Sequence, residues 1–227
     1  MSNKTALLLF SRTALKEAAE KNFSGRANKK LNHKLSSGLI NHTYNISVSS
    51  QISLHVVNEK DQKGTNFGEK IANAAEAIFK IGYEKLLIIG NDCPQLTTTY
   101  IQNASQALDN NNVVLGPDNH GGVYLIGLNK KVFNKENFET RQWQTPDLFK
   151  DLEVAYCQTS SFKLPQLNDV NNFEDLKLVK DFLSSSHKIK ALILSILACL
   201  QRKYSKLRVI YCNLSFSLLP FRGPPVL

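Results

Sequence analysis

Short apolar runs alternate along most of this chain with longer segments in which apolar side chains recur every three or four positions. The short runs predict strands, and the periodic segments predict amphipathic helices. Strands are predicted at 6–10, 52–57, 86–89, 113–115 and 123–126, with 153–157 as a further candidate. Helices are predicted at 26–49, 67–81, 97–108 and 173–183. The alternation favours an α/β fold in which helices flank an open, mostly parallel sheet.

The run 86–89 is apolar at every position, which is typical of a central strand buried on both faces. The chain then continues through residues 90–94, with Asp92 in the middle and Pro94 turning it toward the next helix. Ligands of open α/β sheets bind just beyond the carboxyl ends of the strands. Asp92 is therefore a candidate ligand for Mg²⁺ or Mn²⁺, although a residue that only caps a turn would fit the same position.

A second candidate loop, residues 116–122, separates two predicted strands and contains the pair Gly121 and Gly122. Paired glycines let the backbone approach a ligand closely or adopt positive φ. A tight turn alone would explain them, and the pairing of this loop with the Asp92 loop favours a ligand site. The two loops follow two predicted strands of one sheet.

Five segments in order carry a recognisable pattern. Residues 90–96 read Gly-Asn-Asp-Cys-Pro-Gln-Leu, and residues 116–128 place Gly-Pro before a Gly-Gly pair and a strand. A glutamine–glycine loop leads into Gly68 and Glu69, residues 143–148 read Trp-Gln-Thr-Pro-Asp-Leu, and residues 167–176 hold an Asp-Val-Asn and a Glu-Asp-Leu. Together these segments resemble the small bacterial nucleotide-diphospho-sugar transferases of GT-A type, the arsenosugar-biosynthesis group of glycosyltransferases.

The resemblance implies a GT-A-like domain over residues 1–186 that binds a nucleotide-diphospho-sugar. It implies that Asp92 holds a divalent cation, and that Asp118 and His120 serve the transfer chemistry, with Asp147 as a further candidate base. The substrate contacts that it implies are Phe10, Ser11, Arg12, Lys21, Glu69, Gly121, Gly122, Trp143 and Thr145. A packing role for Trp143 and a capping role for Glu69 are the competing interpretations.

The chain departs from the family pattern at three places. The family opens with a proline–glycine loop carrying basic residues, whereas residues 11–17 read Ser-Arg-Thr-Ala-Leu-Lys-Glu. His120 stands where the family has aspartate, and Asn171 replaces the second aspartate of its closing Asp-Val-Asp motif. Histidine ligates Mn²⁺ better than Mg²⁺, so the first replacement bears on which metal would bind.

Three functions remain open from the sequence. The leading hypothesis is a glycosyltransferase that moves a sugar from a nucleotide-diphospho-sugar to an acceptor, either a small molecule or a lipid-linked one. A nucleotidyltransferase acting on a small phosphorylated substrate would use the same fold. The altered positions His120 and Asn171 motivate a third reading, a non-catalytic nucleotide-binding or scaffold protein.

The charge changes the picture because it is unevenly placed. The chain carries 28 basic and 19 acidic residues, a net charge of +9. All the acidic residues lie at or before Asp181, and seven basic residues follow Ser186, so residues 1–186 hold 21 basic and 19 acidic residues, a net +2. Residues 187–227 thus form a separate basic, apolar extension. It is expected to pack on the domain as a helix, to dock on anionic lipid, or to self-associate. Nucleic acid is disfavoured because no stacking platform accompanies the basic residues.

The remaining features point to a cytoplasmic protein, with the inner membrane face as a candidate contact for the extension. The four cysteines form no CxxC pair, which favours reduced thiols. The N-terminus lacks the features of a signal peptide, and no apolar run reaches the length of about 18–20 residues that spans a bilayer.

Overall fold

The computed structural model describes residues 5–21, 23, 28–184 and 187–201. Six strands form one sheet with the order β2-β1-β3-β5-β4-β6. Their bounds are β1 Thr5–Phe10, β2 Ser53–Val57, β3 Lys85–Ile89, β4 Val113–Pro117, β5 Val123–Asn129 and β6 Ser161–Lys163. The apolar stretch at residues 214–221 of the extension, and five of the extension's seven basic residues, lie outside the described residues.

Helices lie against this sheet. They are α1 Ala14–Glu20, α2 Lys29–Ser49, α3 Phe67–Lys80, α4 Thr98–Asn110, α5 Lys135–Glu139, α6 Leu148–Ala155 and α7 Phe173–Phe182. A 3₁₀ turn spans Lys130–Val132, and residues 188–201 are also helical. Among the described residues, none of the helices combines the length and apolar character that crossing a bilayer requires.

The strand directions determine where a ligand site can form. β1 pairs in parallel with both β2 and β3, and β4 pairs in parallel with β6. β5 runs antiparallel between β3 and β4. The predicted α/β fold with a mostly parallel sheet is therefore confirmed. The carboxyl ends of β1, β3 and β4 meet at one edge of the sheet, beside the loop that enters β5.

The core has apolar layers on both faces of the sheet. Leu86 and Ile88 of β3 pack on one face with α3, while Leu87 and Ile89 pack on the other with α4. This alternation is what a strand buried on both sides requires, and it explains why β3 has no polar position after Lys85. The prediction of a central strand here is correct, since β3 lies between β1 and β5.

A third apolar cluster joins α2, α7 and the helical residues 188–201. Leu35 and Leu39 of α2 meet Val179 of α7 and Ile193 of the C-terminal stretch, and all four are at least 98% buried. Gly38 of α2 leaves room for Leu192 of the C-terminal helical residues, because a Cβ on Gly38 would lie 2.3 Å from Cδ2 of Leu192. The start of the predicted extension is thus packed against the domain.

One strand prediction is wrong. Residues 153–157 are not a strand: α6 continues to Ala155 and a turn follows. Leu148 and Leu152, four positions apart, are the residues that α6 buries, whereas Val154 is 71% exposed. The helical period therefore decides the structure here. The strand lies later, as β6 at Ser161–Lys163, and helices α1 and α5 are additional to the prediction.

Candidate functional site

A cleft of about 670 Å³ opens at the edge of the sheet where β1, β3 and β4 end. Its volume falls in the range of small-molecule sites. Its walls include the end of β1, the residues around α1, the turn after β3 and the loop between β4 and β5. Residues between β2 and α3, residues 143–146 and 148, and the segment before α7 also line it. The lining residues from these parts include Phe10, Ser11, Arg12, Glu17, Lys21, Asn91, Asp92, Asp118, His120 and Gly122.

The centre of the cleft holds an ion pair between Lys21 and Asp92. Nζ of Lys21 lies 2.9 Å from Oδ2 of Asp92, 3.3 Å from Oε1 of Glu17 and 3.1 Å from the carbonyl oxygen of Val170. Arg12 approaches Glu17 from the other side at 3.4 Å. Two cations and two carboxylates therefore alternate from the β1 loop to the turn after β3.

The electrostatics of the pair agree with its geometry. Burial opposes the ionisation of Asp92, but the Lys21 ammonium outweighs it and holds the pKa of Asp92 below its usual value. Burial likewise disfavours the charged form of Lys21, yet the carboxylates of Asp92 and Glu17 raise the pKa of Lys21. Both groups are therefore charged at neutral pH, and Lys21 presents a fixed positive charge in the cleft.

Asp169 is a third carboxyl group at the same place. Burial, together with the negative charges of Asp92 and Asp118, raises the pKa of Asp169 well above its usual value. Its Oδ1 atom is buried without a hydrogen-bond partner among the described residues. An orphaned buried oxygen beside a second carboxylate is a position that a cation would satisfy.

Asp118 shapes the loop between β4 and β5. Its Oδ1 accepts hydrogen bonds from the backbone N–H groups of His120 (2.7 Å) and Gly122 (2.9 Å). A Cβ on Gly122 would lie 2.4 Å from Oδ2 of Asp118, so glycine is required there. Gly121 has φ of +84°, and a Cβ on it would meet the carbonyl oxygen of Pro146 at 2.0 Å. The paired glycines thus serve a tight turn, and only Gly122 also lines the cleft.

His120 projects from this loop and pairs with α7. Its Nε2 lies 3.3 Å from Oδ1 of Asp175, a side chain that is 9% exposed, while the imidazole is 41% exposed. The other oxygen of Asp175 accepts hydrogen bonds from the backbone N–H groups of Asn171 and Asn172 at the start of the helix. The histidine that replaces the family aspartate therefore has a carboxylate partner.

The nucleoside of the donor is predicted to bind at Phe10, Ser11 and Arg12, which line the cleft at the end of β1. Gln62 donates a hydrogen bond to the carbonyl oxygen of Ser11 (3.0 Å). Glu59 accepts hydrogen bonds from both the backbone N–H and the hydroxyl of Thr13, each at 2.5 Å. These contacts hold the β1–α1 loop in place of the proline–glycine pair that the chain lacks.

The remaining predicted site residues separate into two groups. Trp143 and Thr145 line the cleft, but the Trp143 ring also packs on Phe67 and Phe138 and donates Nε1–H to the Phe138 carbonyl. Glu69 does not line the cleft: it accepts hydrogen bonds from Thr65 and Asn66 and so stabilises the start of α3. Substrate contact by Glu69 therefore has no support in its surroundings.

The predicted set lacks Glu17, Asp169 and Asp175, three acidic residues that interact with its members. Asp169 and Asp175 both belong to the closing motif at 167–176, so the motif itself carried the signal. No motif of the sequence pointed to Glu17, because its place in the site depends on its ion pairs with Lys21 and Arg12.

The cleft contains donor atoms of the kind that a divalent cation accepts. Among the described residues, no group of three or more histidine, cysteine and acidic side chains is arranged to hold a metal. Asp92 and the orphaned oxygen of Asp169 are two carboxylate donors of the kind that Mg²⁺ or Mn²⁺ accepts, with solvent or phosphate oxygens completing the shell. The donor set therefore fits a cation held by two carboxylates and a ligand.

Comparison with known proteins gives the following similarities. The sequence profile of a family described as an uncharacterized protein conserved in bacteria (DUF2064) matches residues 45–145. No curated protein matches the chain significantly. A crystal structure from Desulfovibrio desulfuricans G20, provisionally assigned as a nucleotide-diphospho-sugar transferase, superposes with a TM-score of 0.76 at 20% identity, covering 88% of this chain and 97% of that one.

Two more distant structures have lower scores. CMP:2-keto-3-deoxy-manno-octonic acid synthetase, complexed with CTP, has a TM-score of 0.44 at 8% identity, covering 78% of this chain and 98% of its own. Rv0371C from Mycobacterium tuberculosis H37Rv, complexed with manganese, has 0.44 at 10% identity, covering 79% and 98%. The superposition at 0.76 shows that this chain shares the fold of the crystal structure from Desulfovibrio desulfuricans G20, and its sheet is of the α/β kind that the five motifs predicted.

Proposed function

We propose that the protein is a glycosyltransferase that transfers a sugar from a nucleotide-diphospho-sugar to a hydroxyl acceptor. The observation that carries the proposal is the fixed charge of Lys21, paired with Asp92 at the centre of a cleft of suitable volume. A cation at this position meets the negative charge that develops on a departing nucleoside diphosphate.

The order of the strands supports the following arrangement of the donor in the cleft. The nucleoside lies at the end of β1, against Phe10, Ser11 and Arg12, with the β1–α1 loop held by Glu59 and Gln62. The diphosphate lies beside it, over the turn after β3. The sugar then lies toward the β4–β5 loop, which is the side where an acceptor can approach.

Lys21 and Arg12 bind the diphosphate and stabilise it as the leaving group. Both side chains already interact with the buried carboxylate of Glu17, which orients them toward the cleft before the donor binds. Preorganised cations lose little free energy to rearrangement when the leaving-group charge develops, and this is how such sites accelerate transfer.

Asp92 and Asp169 are the residues that would hold a divalent cation. When bound, Mg²⁺ or Mn²⁺ would supply further neutralisation of the diphosphate oxygens. Asp169 would lose its proton on binding the cation, because the carboxylate is the form that ligates metals.

Isothermal titration with a panel of UDP- and GDP-sugars, each with and without Mn²⁺, tests the proposal. We expect micromolar to millimolar binding of one donor class, and we expect Asp92→Asn to lower turnover at least about 100-fold, the size usual for removing an electrostatic anchor. Asp109→Asn is the matched control, because Asp109 is exposed near the end of α4 and does not line the cleft.

Lys21→Met is the complementary variant, with Lys80→Met as its control on the exposed face of α3. We expect Lys21→Met to weaken donor binding about tenfold or more and Lys80→Met to leave it unchanged. Absence of binding to every donor would contradict the proposal. Release of pyrophosphate from a nucleoside triphosphate would favour nucleotidyl transfer instead, and tight binding without turnover would favour the non-catalytic reading.

A further inference from the structure

The structure distinguishes between the three candidate bases that the sequence left open. Asp147 is exposed at the start of α6 and does not line the cleft. Asp118 is 7% exposed, and its Oδ1 already accepts two backbone hydrogen bonds that define the β4–β5 loop. His120 is the candidate that lines the cleft with an accessible side chain.

The pairing of His120 with Asp175 determines which ring nitrogen is basic. Oδ2 of Asp175 is held by the backbone N–H groups of Asn171 and Asn172, as part of the capping box of α7. This leaves Oδ1 directed at Nε2 of His120, 3.3 Å away. An uncharged donor, Nδ2 of Asn119, also lies 3.3 Å from this nitrogen, but the carboxylate forms the stronger, charge-assisted hydrogen bond. We therefore assign the proton to Nε2 and the lone pair to Nδ1. No residue in the described part of the chain forms a hydrogen bond to Nδ1.

The polar groups near the His120 ring come from α7 and from the ring's own loop. Asp175 faces it from α7, and Asp118 belongs to its own loop, where it binds the His120 backbone. From the segment before α7, Asp169 reaches the neighbouring Asn119 through its backbone N–H. The Asn119 amide, 3.3 Å from Nε2, is neutral. The charged group in direct contact with the ring is therefore the Asp175 carboxylate.

The place of His120 in the sheet suits a base for the acceptor. The nucleotide end lies after β1, the ion pair after β3, and His120 between β4 and β5, on the far side of β3 in the strand order. A sugar whose diphosphate lies on Lys21 therefore lies between the leaving group and His120. This arrangement suits a displacement in which the acceptor attacks from the side opposite the leaving group.

We propose, on the basis of the proposed function, that His120 is the general base for a hydroxyl acceptor and that Asp175 is its positioning residue. Nδ1 takes the acceptor proton while the acceptor oxygen forms a bond to the anomeric carbon. The bond from that carbon to the diphosphate oxygen breaks, and the nucleoside diphosphate leaves with the electron pair. A single displacement of this kind inverts the anomeric configuration.

The first test uses the free protein and needs no substrate. In ¹⁵N-edited NMR spectra of the histidine rings at pH 8, we expect His120 with its proton on Nε2. Asp175→Asn keeps an oxygen for the two backbone N–H groups and turns its amide NH₂ toward His120, so we expect the proton to move to Nδ1. Glu174→Gln, an exposed neighbour on the same helix, is the control and leaves the tautomer unchanged. A proton on Nδ1 in the wild type, or no change in Asp175→Asn, would overturn the pairing.

The second test measures transfer with the donor found by titration. We expect His120→Gln and Asp175→Asn each to lower kcat about 100-fold, with donor affinity unchanged within about twofold. The acidic limb of the pH–rate profile should disappear in His120→Gln, an effect that a purely structural role would not produce. His120→Gln keeps the capping box intact, so it decides the matter even if Asp175→Asn folds poorly.

The possible outcomes separate the two proposals. Turnover of His120→Gln within about threefold of wild type, or a product with retained anomeric configuration, would overturn the base while leaving the glycosyltransferase function standing. Absence of binding by every donor would contradict the function and the base with it, whereas the NMR result would still decide the His120–Asp175 pairing on its own.

Discussion

Several residues of the cleft have shifted pKa values, among them Lys21, Asp92 and Asp169. Lys21 lies 71 positions from Asp92, yet the two form an ion pair of 2.9 Å in the cleft. Burial and charge also act on a half-buried pair of histidines away from the cleft, His42 of α2 and His187. Their ring centroids are 4.7 Å apart, and Nδ1 of His187 is buried without a hydrogen-bond partner among the described residues.

This histidine pair predicts a loss of stability on mild acidification. Burial and the neighbouring His187 ring lower the pKa of His42, and burial lowers the pKa of His187. Below an unfolded value of about 6.5, the unfolded chain therefore binds more protons than the folded one. The free energy of unfolding should therefore fall as the pH drops from about 7.5 through 6.5 toward the lower pKa values of the folded protein. Above about 7.5 both rings are neutral in either state, and the pair no longer makes stability depend on pH.

Urea unfolding of wild type, His42→Gln and His33→Gln at pH 7.5 and 5.5 checks this. Asp169, with its raised pKa, acts in the opposite direction, so the informative quantity is the difference between variants. We expect His42→Gln to lose less stability than wild type between the two pH values, and His33→Gln, with an exposed ring, to behave like wild type. Identical losses in all three proteins would argue against the half-buried pair.

At the scale of elements, the sequence predicts what local patterns determine and misses what tertiary contacts determine. The apolar run of β3 predicted a central strand, and the helix predicted at 97–108 corresponds to α4, which Thr97 caps. Residues 153–157 were ambiguous because a short apolar stretch fits either period. The partners of Lys21 and His120 are 71 and 55 positions away, and no local pattern contains that information.

The packing of residues 188–201 gives a prediction at this scale. Ile193 is fully buried against α2 and α7, whereas the adjacent Leu194 is 46% exposed. We expect Ile193→Ala to lower the free energy of unfolding by about 3 kcal/mol and Leu194→Ala to lower it by less than about 1 kcal/mol. Chemical denaturation followed by circular dichroism measures both. Similar small effects would mean that this stretch is not part of the cooperative unit.

At the scale of the whole molecule, the net charge says little about the cleft. Residues 1–186 carry only +2 of the total +9, so the field over the domain is weak and phosphate binding must depend on placed groups such as Lys21 and Arg12. A chain ending at residue 201 would lack five basic residues and carry a net charge of +4.

We therefore expect the shortened chain to bind the donor within about twofold of the full-length protein. The affinity should weaken only severalfold between 50 and 300 mM salt, because contacts inside a cleft are screened less than exposed charges. Isothermal titration at three salt concentrations measures this. A loss of affinity of tenfold or more on shortening would show that the basic extension takes part in donor binding.

The antiparallel strand β5 divides the sheet into two halves whose strands are connected in different ways. β4 and β5 are joined by five residues and form a local hairpin, whereas β1, β2 and β3 are brought together by crossover helices. The halves join where β5 pairs with β3, and the cleft crosses this seam. Lys21 and Asp92 stand on the crossover half, and His120 stands on the hairpin. On the proposed function, the hairpin loop is therefore a module through which acceptor preference can diverge while the strand pairings that hold the donor stay intact.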